Sequence, residues 1–388
     1  MIDSTLEYLY QLHNRGIKLG LENINKILHE CNSPHDEFQA IHLAGTNGKG
    51  STASIIAKIL QNAGRNVGLY TSPHLINFNE RIRINGVPIS NTDIINFTKT
   101  YRDFFEKHSI TFFEATTAMA FDYFKKNEID IAIVETGLGG RLDSTNVLSP
   151  IHTIITEIDF DHTHLLGETV EEITAEKCGI IKNAIPNTTI NTKRSIVEVI
   201  DRFSTKQNTK TNYINKDNIS LSEHKTNMLH LKYNDSSYIL PQAGSFQAEN
   251  AVLAIETIKN EFADIHHNQI QAGLDKWFWP GRMQQMEEDI FYDVAHNSSG
   301  VNILTSDLFH IYNQKPIGLV VIKNDKIRPE IISLFENDFE ELIISTIPSK
   351  DILSKDDIKS IKSLSNYQFI ENLNDALSML KNKQFDGP

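Results

Sequence analysis

His42-Leu43-Ala44-Gly45-Thr46-Asn47-Gly48-Lys49-Gly50-Ser51-Thr52 is the stretch on which the fold turns. The apolar residues leading into it predict a strand over 38–44, and the residues behind it predict a helix over 49–63. Small residues at such a junction let successive backbone N–H groups face a phosphate at a helix N-terminus, with Lys49 as a point charge. The spacing departs from the strict G-x-x-x-x-G-K-[ST] loop: Leu43 holds the place of the first glycine, and Gly50 follows the lysine. An ordinary glycine-rich turn is the competing reading. The strand before and the helix after favour a phosphate loop.

Working outward, a second strand is predicted over 67–70, helices over 91–108 and 115–126, and strands over 129–134 and 151–158. This alternation implies an α/β fold with a mainly parallel sheet. Upstream, Ser4-x-x-Glu7 reads as a capping box opening a first helix, and another helix is expected near 24–30. Residues 190–240 are rich in Asn, Lys, Ser and Thr and suggest a hairpin insertion; a helix over 246–259 follows. Trp277-Phe278-Trp279-Pro280-Gly281 looks like a hinge, with new strands at 290–294 and 317–322. The expected organisation is a P-loop domain over 1–279 and a smaller Rossmann-like α/β domain over 280–388.

A chain of 388 residues with 40% hydrophobic content can bury a sizeable core, and its length favours two domains. The net charge of −13 argues against a nucleic-acid partner, which needs clustered Lys and Arg. Only Cys31 and Cys178 are present, so a disulfide framework or cysteine zinc site has no support and a reducing compartment fits. No signal-like apolar run opens the chain, and no segment approaches a membrane span, so a cytoplasmic protein with no membrane partner is expected. The absence of heptads or a long exposed apolar helix points to a monomer.

Glu135 ends the apolar run 129–134, and Asp161-His162 lies just beyond the strand 151–158. Both therefore reach the carboxyl edge of the sheet, where ligands bind in open α/β folds. Thr169-x-x-Glu172 caps a helix whose apolar stripe, Val170 and Ile173, includes Lys177. A lysine on an inward face either snorkels its ammonium to water or is buried, and burial disfavours its charge.

These stretches resemble the Mur ligase superfamily, and the Gly50-Ser51 after the lysine resembles its folylpolyglutamate synthase/dihydrofolate synthase branch. The resemblance continues through Leu19–Glu22, Thr71-Ser72-Pro73-His74-Leu75, Phe78-Asn79-Glu80-Arg81, Glu135-Thr136-Gly137-Leu138-Gly139-Gly140-Arg141-Leu142-Asp143, Asp161-His162, Ala175-Glu176-Lys177 and Asp293-Val294-Ala295-His296-Asn297. It implies ATP bound by Thr46, Asn47, Gly48, Lys49, Gly50 and Ser51, with Asn250 at the adenine and Arg282, Asp293 and His296 contributed by the second domain. It implies Mg2+ held by Ser72, Glu135 and His162, and a carbamylated lysine at Lys177; Lys49, Lys177 and His162 would carry the catalysis.

For the pterin the resemblance points to Leu19, Gly20, Leu21 and Glu22, to Thr111, Phe112, Phe113 and Glu114, and to Leu142, Asp143 and Ser144. Phe112 would stack on the heterocycle and Asp143 accept its hydrogen bonds. The implied reaction joins L-glutamate to dihydropteroate or a reduced folate through an acyl phosphate, with the nucleotide between the domains. Two other readings stay open: a Mur-type ligase with another acceptor, and a P-loop protein that hydrolyses or senses nucleotide. The family ends with a further strand and a Gly-Ser motif, whereas this sequence ends Asp386-Gly387-Pro388, so a second domain without its last strand is expected.

Overall fold

Eight strands build the sheet that carries the glycine-rich loop: β1 (Gln39–Ala44), β2 (Val67–Tyr70), β3 (Ile82–Ile84), β4 (Val87–Pro88), β5 (Ile131–Glu135), β6 (His152–Ile155), β7 (Asn187–Thr189) and β8 (Thr211–Tyr213). In the computed structural model, which describes residues 1–16, 18, 20–225, 228–361 and 363–382, their order is β4-β3-β2-β5-β1-β6-β7-β8. The pairings β2-β5-β1-β6-β7-β8 are all parallel, and β3 and β4 extend one edge antiparallel.

Side chains alternate faces along a strand, and a parallel sheet is covered on both. In β5, Ile131 and Ile133 join the apolar cluster built with the helices Lys49–Asn62 and Phe246–Glu261. Ala132 and Val134 join the opposite cluster, which contains residues of the helix Phe112–Lys126. Glu135 shares the parity of Ile133, so the pleat aims its carboxylate at the face where the Lys49 helix begins.

Several boundaries differ from expectation. The first helix runs Ile2–Gln11 with Met1 at its N-cap; Ser4 Oγ donates to Met1 O at 3.0 Å inside the first turn and caps nothing. The helix expected from 115 begins at Phe112, because Thr111 and Glu114 form a capping box ahead of it. The polar stretch 190–240 contains a helix, Arg194–Lys206, which buries Ile196, Val199 and Ile200 on one stripe. It also contains β9 (Ile219–Lys225), β10 (Met228–Tyr233) and β11 (Ser236–Leu240), in the order β11-β10-β9.

The chain divides into two compact units, one of Met1–Glu223, Met228–Gln242 and Phe246–Trp279, the other of His224–Asn227, Ala243–Ser245 and Pro280–Pro388. In the second, β12 (Gln284–Glu287) and β13 (Ile290–Tyr292) form an antiparallel ribbon. The strand expected over 290–294 thus stops at Tyr292 and pairs outside the parallel sheet. That sheet is β14 (Ile317–Val320), β15 (Glu341–Thr346) and β16 (Gln368–Asn372), with Val301, Ile331, Phe335, Leu342 and Ile344 in its core. The end of the chain, 383–388, lies outside the described residues. No helix among the described residues is long and apolar enough to cross a membrane.

Candidate active site

Two glycines of the loop are dictated by space. Gly48 is the N-cap of the helix Lys49–Asn62 at φ +86°, and a Cβ there would stand 2.2 Å from Asn250 Oδ1. A Cβ on Gly45 would stand 1.8 Å from Thr156 Oγ1. No side chain caps the helix that follows, so the N–H groups of its first turn, at Lys49, Gly50 and Ser51, are set for an anion. The expected cradle is shorter than the sequence suggested. The N–H groups of Thr46 and Asn47 donate to the Glu157 carbonyl at 2.7 and 3.3 Å, and Thr46 Oγ1 donates to Asp159 O at 2.9 Å. These two residues shape the loop against the segment after β6 and do not direct their amides at a phosphate.

Lys49 Nζ folds over its own loop, donating to Gly45 O at 3.0 Å and Thr46 O at 3.2 Å, and lies 3.8 Å from Glu135 Oε1. Lys177 Nζ reaches the same Gly45 carbonyl at 2.7 Å from the opposite side of the sequence. At 4% exposure Lys177 does not snorkel; burial, reinforced by the charge of Lys49, lowers its pKa to about 7. The expected Thr169–Glu172 capping box starts its helix, Val170–Cys178. The end of that helix packs on the glycine-rich turn after β5: Arg141 N donates to Glu176 O at 2.7 Å, and a Cβ on Gly140 would meet Lys177 O at 2.6 Å.

Ser72 N donates to Glu135 Oε2 at 3.1 Å, so these two expected metal ligands are brought together, and Glu135 is only 5% exposed. His162, on the loop after β6, has a left-handed φ of +47°, and its Nε2 lies 3.6 Å from Asp161 Oδ2. No group of three or more His, Cys, Asp or Glu able to hold a metal occurs among the described residues. That donor set still fits Mg2+, which takes one or two carboxylates and completes its shell with phosphate oxygens and water.

Among the expected pterin residues, Leu19 lies outside the described residues; Gly20 and Leu21 lead into the helix Glu22–Glu30. Phe112 does not offer an open face. It is 3% exposed, and the His13 ring stacks on it with centroids 3.9 Å apart. Its neighbour Phe113 is half-buried, and a Cβ on Gly137 would come within 2.4 Å of its ring, so backbone alone separates it from the turn after β5. Thr111 and Glu114 are engaged in capping: Glu114 Oε2 accepts Thr111 N at 2.7 Å and Thr111 Oγ1 at 2.9 Å.

Asp143 is also committed to its own loop. Its Oδ2 accepts the N–H groups of Gly137 and Leu138 at 2.9 and 2.8 Å, and its Oδ1 accepts Thr145 N at 2.9 Å and Thr145 Oγ1 at 2.5 Å. Four donors fill the acceptor sites of a carboxylate, so Asp143 positions the loop and is not available to pterin donors. Half-buried Leu142 and buried Ser144 flank it.

Asn250 is buried against Gly48; its Nδ2 donates to Gln247 Oε1 at 3.0 Å and its Oδ1 accepts Thr52 Oγ1 at 3.4 Å. In the second unit, the Asp293 carboxylate accepts Met283 N at 2.6 Å and Ala295 N at 2.7 Å, and burial raises its pKa against the lowering effect of Arg282. His296 is exposed, its Nδ1–H donating to Val294 O at 3.0 Å. Two residues not expected at the site belong to the phosphate end: Glu157, through its carbonyl, and Trp279, read from the sequence only as part of a hinge, whose ring would lie 3.4 Å from a Cβ on Gly50. The position of Glu157 just after β6, at the sheet's carboxyl edge, was the available signal.

An open helix N-terminus, two lysines on one carbonyl and a buried strand-end carboxylate define a nucleotide-handling site of the Mur ligase kind, and residues 43–258 match the Mur ligase middle domain. The dihydrofolate synthase/folylpolyglutamate synthase of Bacillus subtilis (strain 168) is 33% identical over 396 residues, covering 96% of this chain and 92% of that protein. The folylpolyglutamate synthase of Thermotoga maritima superposes with a TM-score of 0.85 at 33% identity, over 98% of this chain and 92% of that one. The Mycobacterium tuberculosis folylpolyglutamate synthase, solved with ADP, gives 0.88 at 28% identity over 98% and 91%. The chain belongs to the dihydrofolate synthase/folylpolyglutamate synthase family of ATP-dependent ligases.

Proposed function

We propose that this protein uses ATP to join L-glutamate to dihydropteroate, to a reduced folate, or to both. The observation that carries this reading is the convergence of Lys49, Glu135 and Lys177 on the loop that opens the Lys49–Asn62 helix. A carboxylate in water does not acylate an amine, because its oxygen is a poor leaving group. The acceptor carboxylate therefore attacks the γ-phosphorus of ATP; the new O–P bond forms as the bond to the bridging oxygen breaks, and ADP leaves with the electron pair. The glutamate amine then attacks the acyl carbon, the C–O bond to phosphate breaks, and the nitrogen gives up a proton.

Lys49 and the first-turn N–H groups stabilise charge on the transferring phosphate. Glu135 and Ser72, with His162, would hold Mg2+, which when bound neutralises phosphate charge and orients the phosphoryl group. A neutral Lys177 amine is the form that CO2 carbamylates, and the product carboxylate would stand beside Lys49. Phe113 over Gly137 supplies the flat surface for the pterin. In this reading the protein is a cytoplasmic monomer acting on small molecules, without nucleic acid or membrane.

Incubation with MgATP, L-glutamate and either dihydropteroate or a reduced folate tests the reading by ADP release and product mass. A product one glutamate heavier is expected. ADP release with no glutamate adduct on either acceptor would overturn it.

A further inference from the structure

Arg81 is a buried cation with no carboxylate in salt-bridge contact among the described residues, and Glu135 acts on it only as a more distant charge. It ends the short turn Phe78–Arg81 and is 8% exposed. Its Nε donates to His74 Nδ1 at 2.8 Å, and its guanidinium lies 5.2 Å from the centroid of the Phe112 ring. Among the described residues no carboxylate pairs with it, and neither Nη donates to a protein acceptor. Burying a charge is costly unless it is paired, so the Nη edge calls for an anion from outside the chain. Its sequence neighbour Glu80 and the strand-end Glu135 are both engaged by other donors. Glu80 accepts the N–H groups of Leu75, Ile76 and Asn77 at 2.9, 3.2 and 2.8 Å, and Glu135 takes Ser72 N and faces Lys49.

We propose that the Nη edge of Arg81 binds the carboxylate of the acceptor acid and keeps hold of it as the acyl phosphate forms. This rests on the ligase reading above. The position fits: the Arg81 carbonyl accepts Thr71 N at 3.0 Å, and the next residue, Ser72, contacts Glu135 at the phosphate end. The orientation fits as well. His74 holds only Nε, which leaves its own proton on Nε2, 3.5 Å from Tyr10 Oη. The Phe112 ring lies against the guanidinium, 5.2 Å from centroid to carbon, and is itself held by the His13 stack. A planar fork so held matches a carboxylate in two-point fashion, as a lysine would not. Lys49 and the helix N-terminus already serve the nucleotide phosphates, so the group left for Arg81 is the acid to be activated.

The test is calorimetric binding of pteroic acid and of its neutral carboxamide to the full chain, wild type, Arg81→Gln and Arg81→Lys, with ADP affinity as the control for an intact phosphate loop. Wild type should prefer the acid about 10- to 100-fold, and Arg81→Gln should bind the two within about two-fold, with ADP affinity unchanged. Arg81→Lys should fall between, having the charge without the fork. An acid-to-amide ratio in Arg81→Gln equal to that of wild type overturns the proposal; if that variant does not fold, an unchanged ratio in Arg81→Lys does so. Wild type that binds both compounds without preference refutes the role of Arg81 alone. Wild type that binds neither overturns the ligase reading with it.

Discussion

Asp143→Asn separates a residue that builds the site from one that touches substrate. The carboxylate accepts four bonds, from Gly137 N, Leu138 N, Thr145 N and Thr145 Oγ1. An amide keeps one acceptor oxygen. Its best placement turns that oxygen to Gly137 and Leu138 and its NH2 to Thr145, where the hydroxyl already meets His42 Nε2 at 2.8 Å. The Thr145 N–H then faces a donor, at about 1–3 kcal/mol, and the two bonds that remain lose their charge assistance, about 1 kcal/mol each. Removing the charge also relieves the burial penalty that raises the Asp143 pKa, so the expected net destabilisation is about 2–3 kcal/mol, or on the order of 5 °C in Tm.

Urea unfolding followed by tryptophan fluorescence reads this directly, because Trp277 and Trp279 both belong to the first unit. The clamped turn follows Glu135, so kcat should fall more than KM for the acceptor rises. An Asp143→Asn protein as stable as wild type within about 1 kcal/mol, with only the acceptor KM raised, would refute the reasoning and return Asp143 to the pterin pocket.

Gly48→Ala forces an L side chain into φ +86° with its Cβ 2.2 Å from Asn250 Oδ1; the left-handed strain alone should weaken ADP binding about 5- to 30-fold in a titration. Phe112→Ala should cost about 3–5 kcal/mol of stability as a core deletion. Phe113→Ala should instead raise the acceptor KM with little change in unfolding, and the opposite pattern in the two variants would return Phe112 to the pterin. Lys177 titrates at about 7 in the fold against an ordinary 10.5. Between those values the unfolded chain binds a proton that the folded chain has released, so in CO2-free buffer stability rises with pH, by up to about 1.4 kcal/mol per unit. Lys177→Met should remove that slope, and parallel stability curves from pH 7 to 9 would count against the buried amine.

The sequence announced most of the first unit's sheet because its signals are local and repeated. The apolar runs at 38–44 and 129–134 are longer than a half-exposed strand needs, which marks a parallel sheet covered on both faces. Lys177 was legible for the same reason: the Thr169–Glu172 cap fixes the helix phase, and the phase places the lysine inward. The helix Arg194–Lys206 was not legible, because Ile196, Val199 and Ile200 are its only buried apolar residues, in a stretch otherwise dominated by polar ones. Its apolar stripe is narrow and easily lost in the composition.

The binding residues were harder to read than the fold, for a physical reason visible at three carboxylates. Glu80, Glu114 and Asp143 all stand in motifs that resemble the family's, and each is engaged by backbone N–H groups within six positions of itself. A turn or helix start leaves N–H donors that must be satisfied before any ligand arrives, and the nearest carboxylate is the cheapest acceptor. Sequence spacing shows such a carboxylate near the site without showing that its lone pairs are taken. The opposite holds for Arg81, which has five donors and uses one. A residue's vacancy, not its proximity, decides whether it can bind substrate, and vacancy follows from contacts such as Arg81 to His74 and Asp143 to Leu138 that only the folded chain creates.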